Sequence, residues 1–468
     1  MSDVSDTISH HLAEGDFEYA EEIARAALKA QPGDLALRLS FADCLAKQLV
    51  FDRAIEQCLH VLHAPNVTQA DALVASDRLF RCASQLGQPE LGLPYLDHVD
   101  LRHSPHASDR CWRPRLLWIL DRLEEAAHDF ERLLIEFPGD PFVSHFLGET
   151  MLMLGREDGL RHSISSTSRS FFSTYFPETP LIERMWEGEP LHGRSITVLA
   201  TGGHGDYFRM AKHIRQLRAL GASHIIATTR GRYRALIESA GADEVVGFGE
   251  VDAAKQRSDF WVGTFGLIRA DLAGGAACKA SGYLTPPDSM QAQAIARRMR
   301  GRAQGRPCIG LYWHSDAPGG ETKSVPLHCL IPLLARDDIH WVILQQGFGL
   351  RRFVEAGLDR HATVVDADLP FDDAGALFRE LDGLASIDAW PFNLAGAVGT
   401  RTWLMAGRIL EAIHHNSERD SFLYSDCATI ARQPKVGDWP GAIARLNAEL
   451  DADLLSASWT GRPQIRVV

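Results

Sequence analysis

Hydrophobic and polar positions follow two different rhythms along this chain of 468 residues. In the first third they return in blocks: Gly15-Asp16-Phe17 followed by Ala20 comes back as Phe51-Asp52-Arg53-Ala54, so that Phe17 and Phe51, and likewise Ala20 and Ala54, stand 34 positions apart. Pro32 lies 12 after Ala20 and Pro138 lies 12 after Ala126, so Leu123-Glu124-Glu125-Ala126 starts another block and Leu154-Gly155-Arg156 a partial one. A small residue where two helices cross lets them approach, and a proline ends the second helix because it cannot continue the hydrogen-bond ladder. Gln85 to Gly92 reads as a degenerate unit with shifted spacing. Residues 1–160 therefore predict about four to five helical hairpins, enough to stack into a solenoid with a concave face.

The second rhythm begins at Gly193, after a stretch rich in Ser, Thr, Phe and Pro that lacks a clean period and reads as a packed connector, residues 161–192. Strand-length apolar runs now alternate with helical ones: Ser195 to Ala200, a helix near Tyr207 to Leu220, His224 to Ala227, a helix near Tyr233 to Ala240. A second series starts at Cys308 to Trp313 and continues through Trp341 to Leu344, Ala362 to Val365 and Gly383 to Ile387. Two such series predict two doubly wound α/β halves, residues 193–300 and 301–468, facing one another across a cleft. Ala292 to Gly305 is read as the hinge between them, and its basic run from Arg297 to Arg302 as a solvated helix end.

Composition narrows the function classes. The chain is 45% hydrophobic, sufficient for real cores, yet its longest apolar runs are strand-sized, so no membrane span is expected. The acidic Met1 to Asp6 lacks the features of a secretion signal, which points to the cytosol. Net charge is −13, so phosphate backbones are repelled and nucleic acid is a poor candidate partner. Eight cysteines without a Cys-x-x-Cys pair read as reduced packing residues, and no metal site is expected.

The 34-residue blocks resemble the tetratricopeptide repeat. The order of Trp186 to Gly193, the turn ending in Gly205-Asp206, the Trp313 strand end, Lys323 to Leu327, Leu344 to Gly347 and Asp388 to Ala397 is similar to that in bacterial tetratricopeptide-repeat glycosyltransferases. Those are similar in turn to heptosyltransferases and, more distantly, to O-GlcNAc transferase. The resemblance spans nearly the whole chain and implies an all-α repeat solenoid followed by a GT-B fold of two Rossmann-like domains, acceptor side first and nucleotide-sugar side second. Departures stand beside it. The family has His where this chain has Asn393, Ala389-Trp390 replaces the family's Thr-Ala or Ser-Gly, and no proline-rich loop follows Trp403.

The candidate residues carry chemistry of their own. Gly202, Gly203, His204 and Gly205 form a strand-to-helix turn at which a ligand can reach the backbone and a helix N-terminus attracts negative charge; the resemblance puts the acceptor side there. Asp206 opens that helix, either as a cap or as the general base for an acceptor hydroxyl. Lys323 is either a solvated loop lysine or the cation that neutralises a departing phosphate without a metal. Trp313, His314, Ser315 and Gln346 are further donor-side candidates. Asp388 precedes Asn393, Leu394, Ala395 and Gly396, a helix start whose amides suit a phosphate. His414 and His415 are adjacent, so on a helix they diverge by about 100° and cannot chelate together. Trp439 is expected to anchor the last helix.

These residues imply transfer of a sugar from a nucleotide-activated donor to Ser or Thr of a protein captured by the repeat domain. The layout looks like bacterial flagellin glycosyltransferases, which makes flagellin the candidate acceptor. A CMP-nonulosonic acid, or otherwise a UDP-, ADP- or dTDP-sugar, is the implied donor, with no further cofactor. A noncatalytic scaffold and a heptosyltransferase-like enzyme acting on a glycolipid are the alternatives. The donor site is expected to lie wholly within the second half.

Overall fold

The computed structural model describes residues 2–455 except 100, 102–103, 157, 275–277, 318, 366–367, 411–423 and 425. His414 and His415 lie outside the described residues.

The repeat blocks are antiparallel helix pairs. Phe17–Ala30 pairs with Leu35–Lys47, Phe51–Leu62 with Gln69–Gln85, and Leu123–Glu136 with Pro141–Met153. Ala20, Ala54 and Ala126 are fully buried, as close helix crossing requires. Second helices are started by side-chain caps: Asp34 accepts from Leu37 N at 3.0 Å, and Asp140 accepts from Phe142 N and Val143 N at 3.0 Å each. Such caps satisfy orphan amides and hold the entry angle of each helix. Between regular pairs the chain breaks into the 3₁₀ segments Pro89–Leu91 and Leu93–Val99 and short helices Ala107–Arg110 and Trp112–Ile119, which is the irregular unit signalled by the shifted spacing.

Two parallel sheets follow. The first contains β1 (Ser195–Leu199), β2 (His224–Thr229), β3 (Glu244–Gly247) and β4 (Phe260–Gly263), ordered β3-β2-β1-β4. The second contains β5 (Cys308–Tyr312), β6 (His340–Ile343), β7 (Thr363–Val364), β8 (Gly383–Ser386), β9 (Thr402–Ala406) and β10 (Ala428–Arg432), ordered β10-β9-β8-β5-β6-β7. In each the strand order reverses beside the first strand, between β1 and β4 and between β5 and β8. Ligands of open α/β sheets bind outside the carboxyl ends of the strands at such reversals.

Two expectations change. The helix expected near Tyr207 to Leu220 is broken into His204–Met210, a 3₁₀ turn Ala211–His213 and Ile214–Ala219. The segment read as a hinge is the helix Met290–Ala303, capped by Ser289 Oγ accepting from Ala292 N at 3.0 Å. It buries Ala292, Ile295, Ala296 and Met299 on one face, and Arg300 pairs with Asp382, so this helix belongs to the second sheet's layer and a boundary at 300 would cut it.

The repeat domain sits on the second half. Lys47 Nζ donates to Ala317 O at 2.7 Å and lies 3.0 Å from Glu321 Oε2, while Gln85 Nε2 donates to Thr322 O at 2.7 Å. Arg408 Nε lies 3.2 Å from Asp121 Oδ2. Gly87, at φ +69°, touches Gly437 so closely that a Cβ on Gly437 would fall 2.1 Å from Gly87 N. Trp439 is buried at the head of helix Trp439–Leu455 and its Nε1 donates to Gln85 Oε1 at 3.4 Å, so it anchors this contact as well as the last helix.

Candidate functional site

The glycine turn after β1 is built around Asp206. Gly202 has φ +77°, and a Cβ there would stand 3.0 Å from Asp206 Oδ2 and 3.1 Å from the Phe265 ring, so both conformation and space call for glycine. Gly203 N donates to Asp206 Oδ2 at 2.8 Å, and Asp206 Oδ1 pairs with Arg209 at 2.8 Å. Both carboxylate oxygens are thus held, but each has two lone pairs, and the side chain remains about a quarter exposed (25%). Asp206 caps its helix and also presents an oriented acceptor edge. His204 packs on Tyr233 and, across the two halves, on Phe371, ring centroids 4.6 Å apart. Burial, with Arg230 nearby, lowers its pKa.

The helix His204–Met210 packs directly on Trp390–Val398 of the second half. A Cβ on Gly205 would lie 3.1 Å from Asn393 Nδ2 and 3.2 Å from Trp390 Cα, so the two glycine-bearing helix starts meet at near contact distance. Tyr283 OH donates to Phe208 O at 2.9 Å while Leu284 N donates to Ala397 O at 2.9 Å, tying both helices to one connecting segment.

Several donor-side candidates turn out to be packing residues. Asn393 is 3% exposed; its Nδ2 donates to Ala389 O at 3.2 Å and its Oδ1 accepts from Tyr424 OH at 3.1 Å, so the amide is consumed internally. Leu394 and Ala395 are fully buried, and a Cβ on Gly396 would strike the Tyr424 ring at 2.6 Å. Pro391 removes one amide from this helix's first turn, thinning the cradle expected there. His314 is buried with Nε2 3.1 Å from Asp316 Oδ1, and Trp313 is buried against Phe353. Ser315 N donates to Ser324 Oγ at 3.0 Å. Gln346 lines a separate cavity of about 230 Å³ with Trp390 and Arg232.

Lys323 and Asp388 do come together. Both line a cavity of about 320 Å³ beyond the carboxyl ends of β8, β9 and β10. Arg81 and Arg408 also line it, so among the described residues three cations surround this space against one acid, Asp388. Arg81 is matched by Asp77 at 2.8 Å and Arg408 by Asp121, whereas among the described residues Lys323 has no carboxylate partner. The remaining wall includes Gln433 and, from the repeat domain, Gln85, Trp118 and Ile119. This cavity is thus not confined to the second half: docking of the solenoid brings its own side chains into the wall. Gln433 stands between Arg432 and Pro434 and carries no signal of its own in the sequence. No local pattern marked Trp118.

Elsewhere, His213, Asp271 and Cys278 hold ligand-capable atoms within 4.8 Å of one another, with His213 Nδ1 already 2.7 Å from Gln216 Oε1. The described cysteines are free thiols, and burial pushes Cys278 up to about 11. No described helix is long and apolar enough to cross a membrane.

No family model matches this chain, and no curated protein does. Among solved structures it is similar to a glycosyl transferase family 9 protein from Veillonella parvula DSM 2008, with 12% identity, 57% of this chain and 99% of that chain covered, and a TM-score of 0.43. A MamA structure (MSR-1) shares 20% identity over 35% of this chain and 92% of that chain, TM-score 0.26. A tetratricopeptide repeat protein from Parabacteroides merdae ATCC 43184 shares 12% identity over 36% of this chain and 67% of that chain, TM-score 0.30. At these scores the functional reading rests on this chain's own geometry.

Proposed function

We propose that this protein transfers a sugar from a nucleotide-activated donor to a Ser or Thr hydroxyl of a protein held by the repeat domain. The observation that carries it is the cation-rich cavity at the carboxyl ends of β8 to β10, with Lys323 unmatched by any described acid, in a half whose helix Trp390–Val398 packs on the helix bearing Asp206. In this reading the acceptor hydroxyl attacks the anomeric carbon, the bond from that carbon to the phosphate oxygen breaks, and Asp206 takes the hydroxyl proton. Lys323 meets the charge left on the nucleotide phosphate, so no metal is required for that step. A CMP-nonulosonic acid or a UDP-, ADP- or dTDP-sugar supplies the donor, and flagellin is the candidate acceptor.

The test begins with calorimetric titration of nucleotides into the whole chain. Binding is expected, and its absence at millimolar concentration would favour a scaffold over a transferase. The second arm is Asp206→Asn. Asparagine keeps the size and the cap but cannot take the proton, so turnover should fall on the order of 10²-fold or more with the melting temperature preserved. Near-normal turnover would leave Asp206 as a cap alone.

A further inference from the structure

Among the described residues, two that line the 320 Å³ cavity carry a buried donor with no protein partner. The first is Gln433, 2% exposed. Its Oε1 accepts from Arg408 N at 3.1 Å and from Gly437 N at 2.9 Å, which fixes the amide, because a flipped side chain would set its NH₂ against two N–H groups. Nε2 is thereby committed to donating, and it is left over. The second is Trp118 of the repeat domain, whose Nε1 is also buried and unpaired. A buried donor without an acceptor costs free energy, and two such donors, on residues from separate modules that line one cavity together with a lysine unmatched among the described residues, suit an oxygen-rich anion.

We infer that the phosphate-bearing end of the nucleotide donor is held jointly by the two modules, Lys323 and Gln433 from the second sheet and Trp118 from the solenoid. This rests on the reading of the cavity as the nucleotide-sugar site. Arg81, Trp118 and Ile119 also line a second cavity of about 160 Å³ in the repeat domain, where Arg115 lies over the rings of Trp112 and Phe146 at 5.2 and 4.9 Å. The same three residues thus form a wall shared by the two cavities. The repeat domain contributes to donor binding as well as to capture of the acceptor.

The experiment titrates CMP, UDP, ADP and dTDP into the full chain and into two variants. Trp118→Phe keeps a ring and loses the N–H. Gln433→Glu keeps both backbone-accepting bonds and replaces the donor with a carboxylate oxygen. Each should weaken the Kd of whichever nucleotide the parent binds by roughly tenfold or more, as loss of a hydrogen bond to a charged group does. A Trp118→Phe protein that binds like the parent overturns the inference, and if nucleotide binding by the parent persists the transferase reading stands. A parent that binds none of the four overturns both. Amide hydrogen exchange on the unaltered protein guards against a folding defect: nucleotide should slow exchange in Trp112–Ile119, and unchanged exchange there overturns the shared site.

Discussion

At the scale of single residues, burial and spare hydrogen-bonding capacity separate the candidates. Asp206 is oriented by Gly203 N and Arg209 and stays a quarter exposed, and Lys323 has a charge unmatched among the described residues, whereas Asn393 has both polar atoms engaged and so behaves as part of the core. The first two were legible because a carboxylate at a helix start and a lysine in a glycine-rich loop are local patterns. Trp118 and Gln433 were not, since they become neighbours only when distant modules dock. A different residue contributes to acid sensitivity. His340 is 1% exposed, its Nε2 is 2.8 Å from Thr363 Oγ1, and burial with Arg306 and Arg302 nearby lowers its pKa from 6.5 to about 4. Above pH 6.5 it is neutral folded or unfolded; between 6.5 and about 4 only the unfolded chain takes the proton, so stability falls with pH through that window and levels off below it. The contribution is on the order of 3 kcal/mol. His340→Gln should flatten the decline in denaturation midpoint over this range relative to the parent, and parallel curves would dismiss the assignment.

At the scale of elements, the crossing of His204–Met210 with Trp390–Val398 decides the geometry of the site. A Cβ on Gly205 would already press on Asn393 and the Trp390 backbone, and Gly205→Val would force the helices apart, costing roughly 1–3 kcal/mol as overpacking usually does. Thermal unfolding checks this; a variant as stable as the parent would mean the crossing is loose. Strands β1, β2, β5, β6, β7 and β8 could be read from continuous apolar runs, as buried parallel strands require. The apolar runs of β3 and β4 are closed by Gly247 and Gly263 after only two and three residues, so they do not stand out, and β9 and β10 lie beside the segment where the family pattern lapses. Met290–Ala303 misled for a clear reason: its basic run dominates the composition, while its apolar face is carried mainly by alanines with Ile295 and Met299.

At the scale of the whole molecule, three modules are clasped. Arg232 of the first half reaches Asp368 of the second at 2.6 Å, and Asp372 accepts from Leu236 N at 3.0 Å, capping a helix of the other half. The solenoid is fixed to the second half at Lys47, Gln85, Gly87 and Asp121. Separate textures in the sequence announced separate modules, but not that their meeting would form one cavity wall. The central claim is that this assembly glycosylates protein. Intact-mass analysis of surface and secreted proteins tests it most directly, comparing cells that carry the gene, cells lacking it, and cells carrying only the Asp206→Asn form. The account predicts that one or more proteins are heavier by whole sugar residues in the first cells alone. Identical masses in all three would contradict it.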